Sequence, residues 1–246
     1  MALQDDCAKT GDLLFRWRSY LPLVFIVVFI PAFQEFSYPF CERFYQQIWG
    51  MFCFAIALFG LFIRGYTIGY TPKNTSGINT KGQVADTLNT TGIYSVTRNP
   101  LYLGNFFMML GVSLFVHIWW FTVIFTLSYW LYYERIIIAE EIFLTEKFGK
   151  PYENYARSTP AFLPDFKRWQ PSELSFSMRN VLKREYTGFF AVIAAFALLQ
   201  WIGDYKVQRA VVFDPVWTGL FILGLLAYIT LRTLKKTTTL LDVEGR

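Results

Sequence analysis

Six long apolar runs set the pattern of this chain, at roughly 19–36, 47–70, 100–116, 118–139, 187–203 and 214–234. A bilayer core of about 30 Å is crossed by about 20 helical residues, so each run predicts a membrane-crossing helix. The runs are continuously apolar and do not alternate, which excludes barrel strands. The predicted fold is all-α: a polytopic integral membrane helical bundle of about six transmembrane helices.

The polar breaks organise these helices. Asn99-Pro100 predicts a helix start, because the residue before proline is pushed out of the helical region and proline suits the first turn. His117 falls in a tight turn, so the third and fourth runs form a hairpin. Its open end carries Arg98–Gly104 on one arm and Glu134–Glu141 on the other. Beyond Glu141 an amphipathic helix leads to Gly149, a predicted cap, with Pro151 opening the next turn. Phe148, Tyr152 and Tyr155 share a face if that helix continues; Pro160 and Pro164 then break it. Residues 172–186 predict an interfacial helix, with Leu174, Met178, Val181 and Leu182 opposite Arg179, Lys183 and Arg184. The polar stretch 71–98 reads as a long loop. Three parts follow: an N-terminal helix with its flanks (1–44), a core (45–166), and an interfacial helix plus terminal transmembrane pair (167–246).

Composition adds that the chain is 54% apolar, 20% aromatic and 17% charged, too sparsely charged for an ordinary soluble domain. The net charge of +5 matters through its distribution. With the N-terminus inside, only Arg43, Lys206 and Arg209 of the 23 Lys and Arg fall outside. This asymmetry predicts both termini and the hairpin's open end on the cytoplasmic face. Orientation at a bilayer accounts for the basic residues, so no nucleic-acid partner is expected. Lys9, Arg16 and Arg18 precede the first run as in a signal peptide. No small-x-small cleavage site follows, which predicts an uncleaved helix. Cys7, Cys41 and Cys53 lack metal-ligand spacing, and neither a metal site nor a disulfide framework is expected. The Asn74 and Asn89 sequons fall on the inside and read as accidental.

Candidate chemistry lies where apolar runs meet polar sequence. One cluster is Gly92, Tyr94, Arg98, Asn99, Pro100, Tyr102 and Gly104; the other is Glu140, Glu141, Leu144, Phe148, Gly149, Tyr152 and Tyr155. Singly, each residue has a structural role: Arg98 as an interfacial anchor, the tyrosines as an aromatic belt, Gly104 and Gly111 for close helix packing. Acidic residues at a helix C-terminus oppose the macrodipole, and a cationic ligand reverses that sign. Together with Pro160-Ala-Phe-Leu-Pro164, the clusters resemble the isoprenylcysteine carboxyl methyltransferase and phospholipid methyltransferase family. Its signature runs Gly-x-Tyr-x-x-x-Arg-His-Pro-x-Tyr-x-Gly, then Glu-Glu-x-x-Leu-x-x-x-Phe-Gly-x-x-Tyr-x-x-Tyr. The resemblance covers residues 45–166. One position departs: Asn99 stands where the family usually has His, and a carboxamide cannot carry a proton at neutral pH.

The resemblance implies S-adenosylmethionine as methyl donor, bound at the cytosolic end of the hairpin. Carried over by position, its contacts are Asp86, Thr87, Leu88, Asn89, Tyr94, Asn99, Pro100, Leu101, Tyr102 and Glu140; Asn79 lies in a poorly matching loop. The family's substrate-positioning Arg lies four residues before the Glu, which is Ile136 here, so that role passes to the adjacent Arg135. Arg98 is the second candidate for the catalytic end. The chemistry agrees. Glu140 and Glu141 can bind an ammonium or ribose hydroxyls, and amides at the Pro100 helix start can bind a carboxylate. Gly104 permits close approach of a ligand, and tyrosines can face a sulfonium. An anionic oxygen acceptor needs no general base, whereas a protonated amine does. His117, the sole histidine, is predicted on the opposite face. The reading is an integral membrane S-adenosylmethionine-dependent methyltransferase acting on a phosphate or carboxylate oxygen of a membrane lipid or lipidated substrate. A phospholipid amine is the alternative acceptor. A non-catalytic scaffold or transporter-like protein is the alternative class, though the spans are expected to lack a transporter's broken-helix pairs and buried charges.

Overall fold

A computed structural model describes residues 10–11, 13–15, 17, 21–72, 75 and 85–246. Asn74, Asn79, Lys9, Arg16 and Arg18 lie outside them. The helices are α1 (Leu21–Gln34), α2 (Arg43–Gly69), α3 (Pro100–Leu114), α4 (Trp119–Phe148), α5 (Lys150–Ser158), α6 (Met178–Gln208) and α7 (Pro215–Thr237). Among the described residues there is no strand, only a Gly92–Gln170 bridge. Helices α2, α6 and α7 are each long and apolar enough to cross a bilayer, and α3 is a shorter apolar helix. The fold is a helical membrane bundle, in keeping with the hydropathy pattern.

Local chemistry sets the boundaries. Pro100 opens α3 behind Asn99. Asp214 caps α7 by accepting from the amides of Val216 and Trp217 at 3.0 and 3.1 Å. Gly149, at φ +60° and ψ −135°, ends α4 and starts α5. A Cβ there strains the backbone, which is why glycine occupies the break. Phe148 therefore does not share one unbroken helix with Tyr152 and Tyr155. A second expectation is also corrected: the interfacial helix predicted at 172–186 is not separate. Its residues from Met178 onward are the first turns of α6, which runs unbroken for 31 residues. No proline or loop sequence interrupts 178–208, and Glu185 finds a partner inside the bundle.

Helix α2 is the central element, packed on α3 along one side and α6 along the other, with α7 covering α6. Small residues bring α2 and α3 together. A Cβ on Gly60 meets the Gly104 carbonyl at 2.4 Å, and one on Gly111 meets the Cys53 carbonyl at 2.4 Å. In a bilayer such contacts let backbones approach and replace the hydrophobic drive that water supplies elsewhere. Toward the His117 end, Phe54, Phe115, Phe196 and Trp217 form a core, with Phe196 and Trp217 stacked at 5.6 Å.

Beyond that core lies a buried polar network. Arg43 bridges Asp204 and Asp214 at 3.0 and 3.1 Å, and both carboxylates are fully buried. Tyr38 and Gln200 donate to Asp204 at 2.6 and 2.7 Å, and Gln47 donates to Asp214 at 2.7 Å. Lys206 donates to the carbonyls of Phe33, Gln34 and Phe36, closing the C-terminus of α1. His117 sits in the α3–α4 turn, 2.6 Å from Gln46 Oε1, and burial pushes its pKa down to about 4. The expectation that the spans hold no buried charge fails: Arg64, Glu185 and Asp204 are all inside helices and mostly or wholly buried. Each is tolerated because it has an opposite charge as partner.

Candidate functional site

The hairpin of α3 and α4 opens at the end opposite His117. Its inner lining is a tyrosine ladder. Tyr102 and Tyr133 lie 4.7 Å apart, Tyr133 stacks on Tyr129 at 4.2 Å, and the Tyr129 hydroxyl donates to the Tyr102 carbonyl at 2.7 Å. At the mouth the Tyr102 hydroxyl donates to Glu140 Oε1 at 2.8 Å. This bond ties the two arms of the hairpin and orients the carboxylate. Glu140 follows Tyr133 and Ile136 on one α4 face, at spacings of three and four that stack side chains on a helix.

The next residue, Glu141, points toward α5. Its carboxylate pairs with Arg98 at 2.7 Å, and Arg98 also donates to the Ala156 carbonyl at 2.7 Å. Burial pushes the Glu141 pKa up, with Arg98 opposing that shift. Further bonds fasten the segment after the hairpin across its mouth. The Arg98 amide donates to the Pro160 carbonyl at 2.9 Å, and Asn99 Nδ2 to the Ala161 carbonyl at 2.9 Å. The Tyr155 hydroxyl donates to the Tyr94 carbonyl at 2.7 Å. Asn99 is thus committed as a donor to a backbone carbonyl and does not cap α3. Burial holds the hydroxyls of Tyr94, Tyr152 and Tyr155 neutral, with pKa values well above the usual range. A cavity of about 410 Å³ opens between α4 and α5, lined by Glu141, Glu146, Tyr152, Glu153 and Arg157 among others. Its size falls within the roughly 300–1,000 Å³ of small-molecule sites.

On the other side of α3, Arg64 of α2 forms a two-pronged pair with Glu185 of α6. Its Nε and a terminal nitrogen lie 2.8 and 2.7 Å from the two carboxylate oxygens, and the other terminal nitrogen donates to Asn105 Oδ1 at 2.7 Å. Three helices are joined by this one guanidinium. The stem of Arg64 also fills the space beside Gly104, whose Cβ position lies 2.6 Å from Arg64 Cγ. Gly104 therefore serves the α2–α3 crossing, and its open side faces α2.

The structure brings together Tyr94, Arg98, Asn99, Pro100, Leu101, Tyr102, Glu140 and Glu141 around the hairpin mouth. It does not bring Arg135 to them. Fully buried Ile136 holds the position one turn before Glu140, while Arg135 lies on the flank where the N-terminal segment packs, its carbonyl against Gly11. Asp86 and Thr87 are exposed, Leu88 and Asn89 half-buried, and Asn89 Nδ2 donates to the Thr75 carbonyl at 3.5 Å. Arg64, Asn105 and Glu185 escape a reading of local motifs. The one available signal is Arg64 itself, a charge inside an apolar run. Among the described residues no group of three or more His, Cys, Asp or Glu is placed to hold a metal ion.

Comparison with known proteins gives partial matches. Residues 45–151 match the family model for phospholipid methyltransferase. The chain is 32% identical over 137 residues to the cobalt-zinc-cadmium resistance protein CzcN of Cupriavidus metallidurans, covering 53% of this chain and 62% of that protein. It is 35% identical over 75 residues to a protein-S-isoprenylcysteine O-methyltransferase of Schizosaccharomyces pombe, covering 30% of this chain and 32% of that protein. It is 32% identical over 108 residues to the nickel-cobalt-cadmium resistance protein NccN of Alcaligenes xylosoxydans xylosoxydans, covering 44% and 50%. The aligned regions thus span from about a third to three fifths of these relatives. No solved structure matches.

Proposed function

We propose that this chain, whose residues 45–151 match the phospholipid methyltransferase family model, is an S-adenosylmethionine-dependent membrane methyltransferase whose acceptor is an anionic oxygen on a lipid or lipidated substrate. The observation that carries the reading is Glu140, held by the Tyr102 hydroxyl at the mouth of a tyrosine-lined hairpin. The residues fit this donor. Glu140 supplies negative charge for its ammonium and sulfonium, and the faces of Tyr102, Tyr133 and Tyr152 supply stacking surfaces. The donor supplies an electrophilic methyl group on a sulfonium that leaves as a neutral thioether. The chain's part is to bind, align and exclude water. Glu140 anchors. The Arg98–Glu141 pair holds α5 and the 160–162 segment over the mouth, which keeps solvent out. In this reading the hairpin mouth faces the cytoplasm, which the basic asymmetry of the sequence supports.

Specific chemistry favours an oxygen acceptor. An ionised oxygen has no proton to lose, and His117 is held at the far end of the hairpin in its contact with Gln46. One observation favours a second reading, N-methylation of a phospholipid amine: burial raises the Glu141 pKa, as suits a general base.

The pH profile separates the two. Membranes containing the protein are incubated with donor labelled in its methyl group, and the labelled products are identified by mass spectrometry. A carboxylate oxygen acceptor gives activity nearly flat from about pH 6 upward, since carboxyl pKa values lie near 4, and a phosphate acceptor adds a step at its second ionisation near 6. Activity that climbs steadily into the alkaline range, with an N-methylated lipid as product, moves the reading to the amine.

A further inference from the structure

The family match ends at residue 151, and the chain between α5 and α6 lies beyond it. Residues 160–169 of that connection are laced to the 96–99 segment. The Arg98 amide donates to the Pro160 carbonyl at 2.9 Å, Asn99 Nδ2 to the Ala161 carbonyl at 2.9 Å, and Thr97 Oγ1 to the Phe162 carbonyl at 3.0 Å. The Asp165 amide donates to the Val96 carbonyl at 2.9 Å. Pro160 and Pro164 have no N–H to satisfy. Three successive carbonyls are thus taken up by protein donors, and two nitrogens need no acceptor. Irregular backbone can sit at the edge of hydrocarbon only when its polar atoms are met in this way.

Side chains give the depth. Phe162 turns inward, its ring 6.3 Å from Phe106 and 5.4 Å from Trp130. Phe106 lies about 9 Å into α3 from Pro100, and Trp130 about 15 Å from Glu140 toward the His117 end, by helical rise. The 160–164 turn therefore reaches past the hairpin mouth on its apolar side. At the other end of the segment, Trp169 lies 6.3 Å from Tyr66, and Tyr66 continues through Tyr70 to Phe176 at 4.9 and 5.3 Å. Helix α2 is long and apolar enough to cross a bilayer. Tyr66 and Tyr70 mark its C-terminal end, the level at which aromatic rings gather at a membrane interface.

Between these anchors the outward side is apolar and basic. Leu163 and Phe166 are each 72% exposed and Trp169 45%, three large apolar side chains within seven residues. Asp165 accepts from the Lys167 amide at 3.2 Å and pairs with Arg168 at 2.9 Å, which winds 166–168 into one 3-10 turn. Successive side chains of such a turn point about 120° apart. One bulky apolar group and two exposed cations thus leave the same turn. That combination matches a bilayer surface carrying negative charge.

We propose that residues 160–169 insert into the leaflet at the hairpin mouth, with Leu163 and Phe166 among acyl chains, Trp169 at the interface, and Lys167 and Arg168 on the phosphates of anionic lipid headgroups. The inference goes beyond the methyltransferase reading and needs neither its donor nor its acceptor. It makes the lipid surface a second support, besides the bonds to 96–99, for the segment that covers Arg98 and Asn99.

Photocrosslinking tests it in the full chain. Benzoylphenylalanine replaces Leu163 or Phe166, or, as control, exposed Asn154 on α5. Each variant is placed in nanodiscs of phosphatidylcholine and phosphatidylglycerol with identical acyl chains, irradiated, and its lipid adducts are read by mass spectrometry. Adducts at 163 and 166 exceed those at 154 several-fold. At 166 phosphatidylglycerol is captured several-fold more often than phosphatidylcholine, and high salt shrinks that preference. K167Q/R168Q captures the two lipids equally while total adducts persist, because the apolar insertion is unchanged. Both labelled positions are exposed, and the 163 variant carries the test if the 166 variant does not fold. Adducts at 163 and 166 no more frequent than at 154 overturn the insertion. Equal capture of the two lipids with Lys167 and Arg168 in place overturns the headgroup assignment. So does a preference abolished by inorganic phosphate but not by chloride at the same ionic strength, which assigns the two cations to a free anion. Neither donor binding nor methyl transfer is read, so failure here leaves the methyltransferase reading standing.

Discussion

Glu185→Leu is expected to destabilise the protein by about 3–5 kcal/mol, the usual cost of leaving one partner of a buried ion pair uncompensated. Arg64 is 22% exposed and Glu185 7%, and the bond between them is two-pronged. Removing the carboxylate leaves a guanidinium in an apolar span with Asn105 as its remaining bonded neighbour. The pair also fixes α6 against α2, so the loss spreads to the docking of the C-terminal helices. The measurement is the monodisperse fraction and unfolding temperature in mild detergent. R64L/E185L is expected to recover most of the loss, because two apolar side chains of similar volume replace a pair whose desolvation offsets its attraction. An E185L protein as stable as the wild type contradicts this account of the bundle.

Glu140→Ala is expected to weaken binding of S-adenosylmethionine and S-adenosylhomocysteine by about 10- to 100-fold, equivalent to the roughly 1.5–3 kcal/mol of a hydrogen bond to a charged group. The fold should survive, since Glu140 is half-buried near the hairpin mouth and its substitution leaves the apolar packing of α4 in place. Tyr102→Phe is the informative companion. It keeps the carboxylate and the ring but removes the hydroxyl that orients them, so its effect on donor binding should be smaller. Calorimetric titration of both variants decides the matter. Undiminished affinity in folded E140A removes Glu140 from the donor site.

Much of this architecture is legible from local pattern. Asn99-Pro100 marks the start of α3, Gly149 the break after α4, and the two polar clusters meet because a short turn at His117 forces their helices into a hairpin. Such features depend on residues a few positions apart, where backbone sterics and helical periodicity decide. What escapes is long-range pairing. Arg64 is visible as a lone charge in an apolar run, but its partner Glu185 lies 121 positions away. Glu185 itself sits among Arg179, Lys183 and Arg184, which makes that stretch look like a solvated interfacial helix. Only its docking on α2 turns the stretch into the start of a long membrane helix. The Arg43, Asp204 and Asp214 network is hidden for the same reason. Arg135 shows the opposite limit: adjacency in sequence to the expected position turns a side chain by about 100° on a helix, enough to put it on another flank.

Ultraviolet crosslinking locates the methyl donor, which the proposed function places at the hairpin mouth. The purified protein is irradiated with methyl-labelled S-adenosylmethionine, digested, and the labelled peptides are sequenced, with excess S-adenosylhomocysteine as competitor. Competable label in peptides containing Tyr94–Tyr102 or Glu140–Tyr155 is the result predicted. Label confined to α6 and α7, or none that S-adenosylhomocysteine displaces, contradicts it.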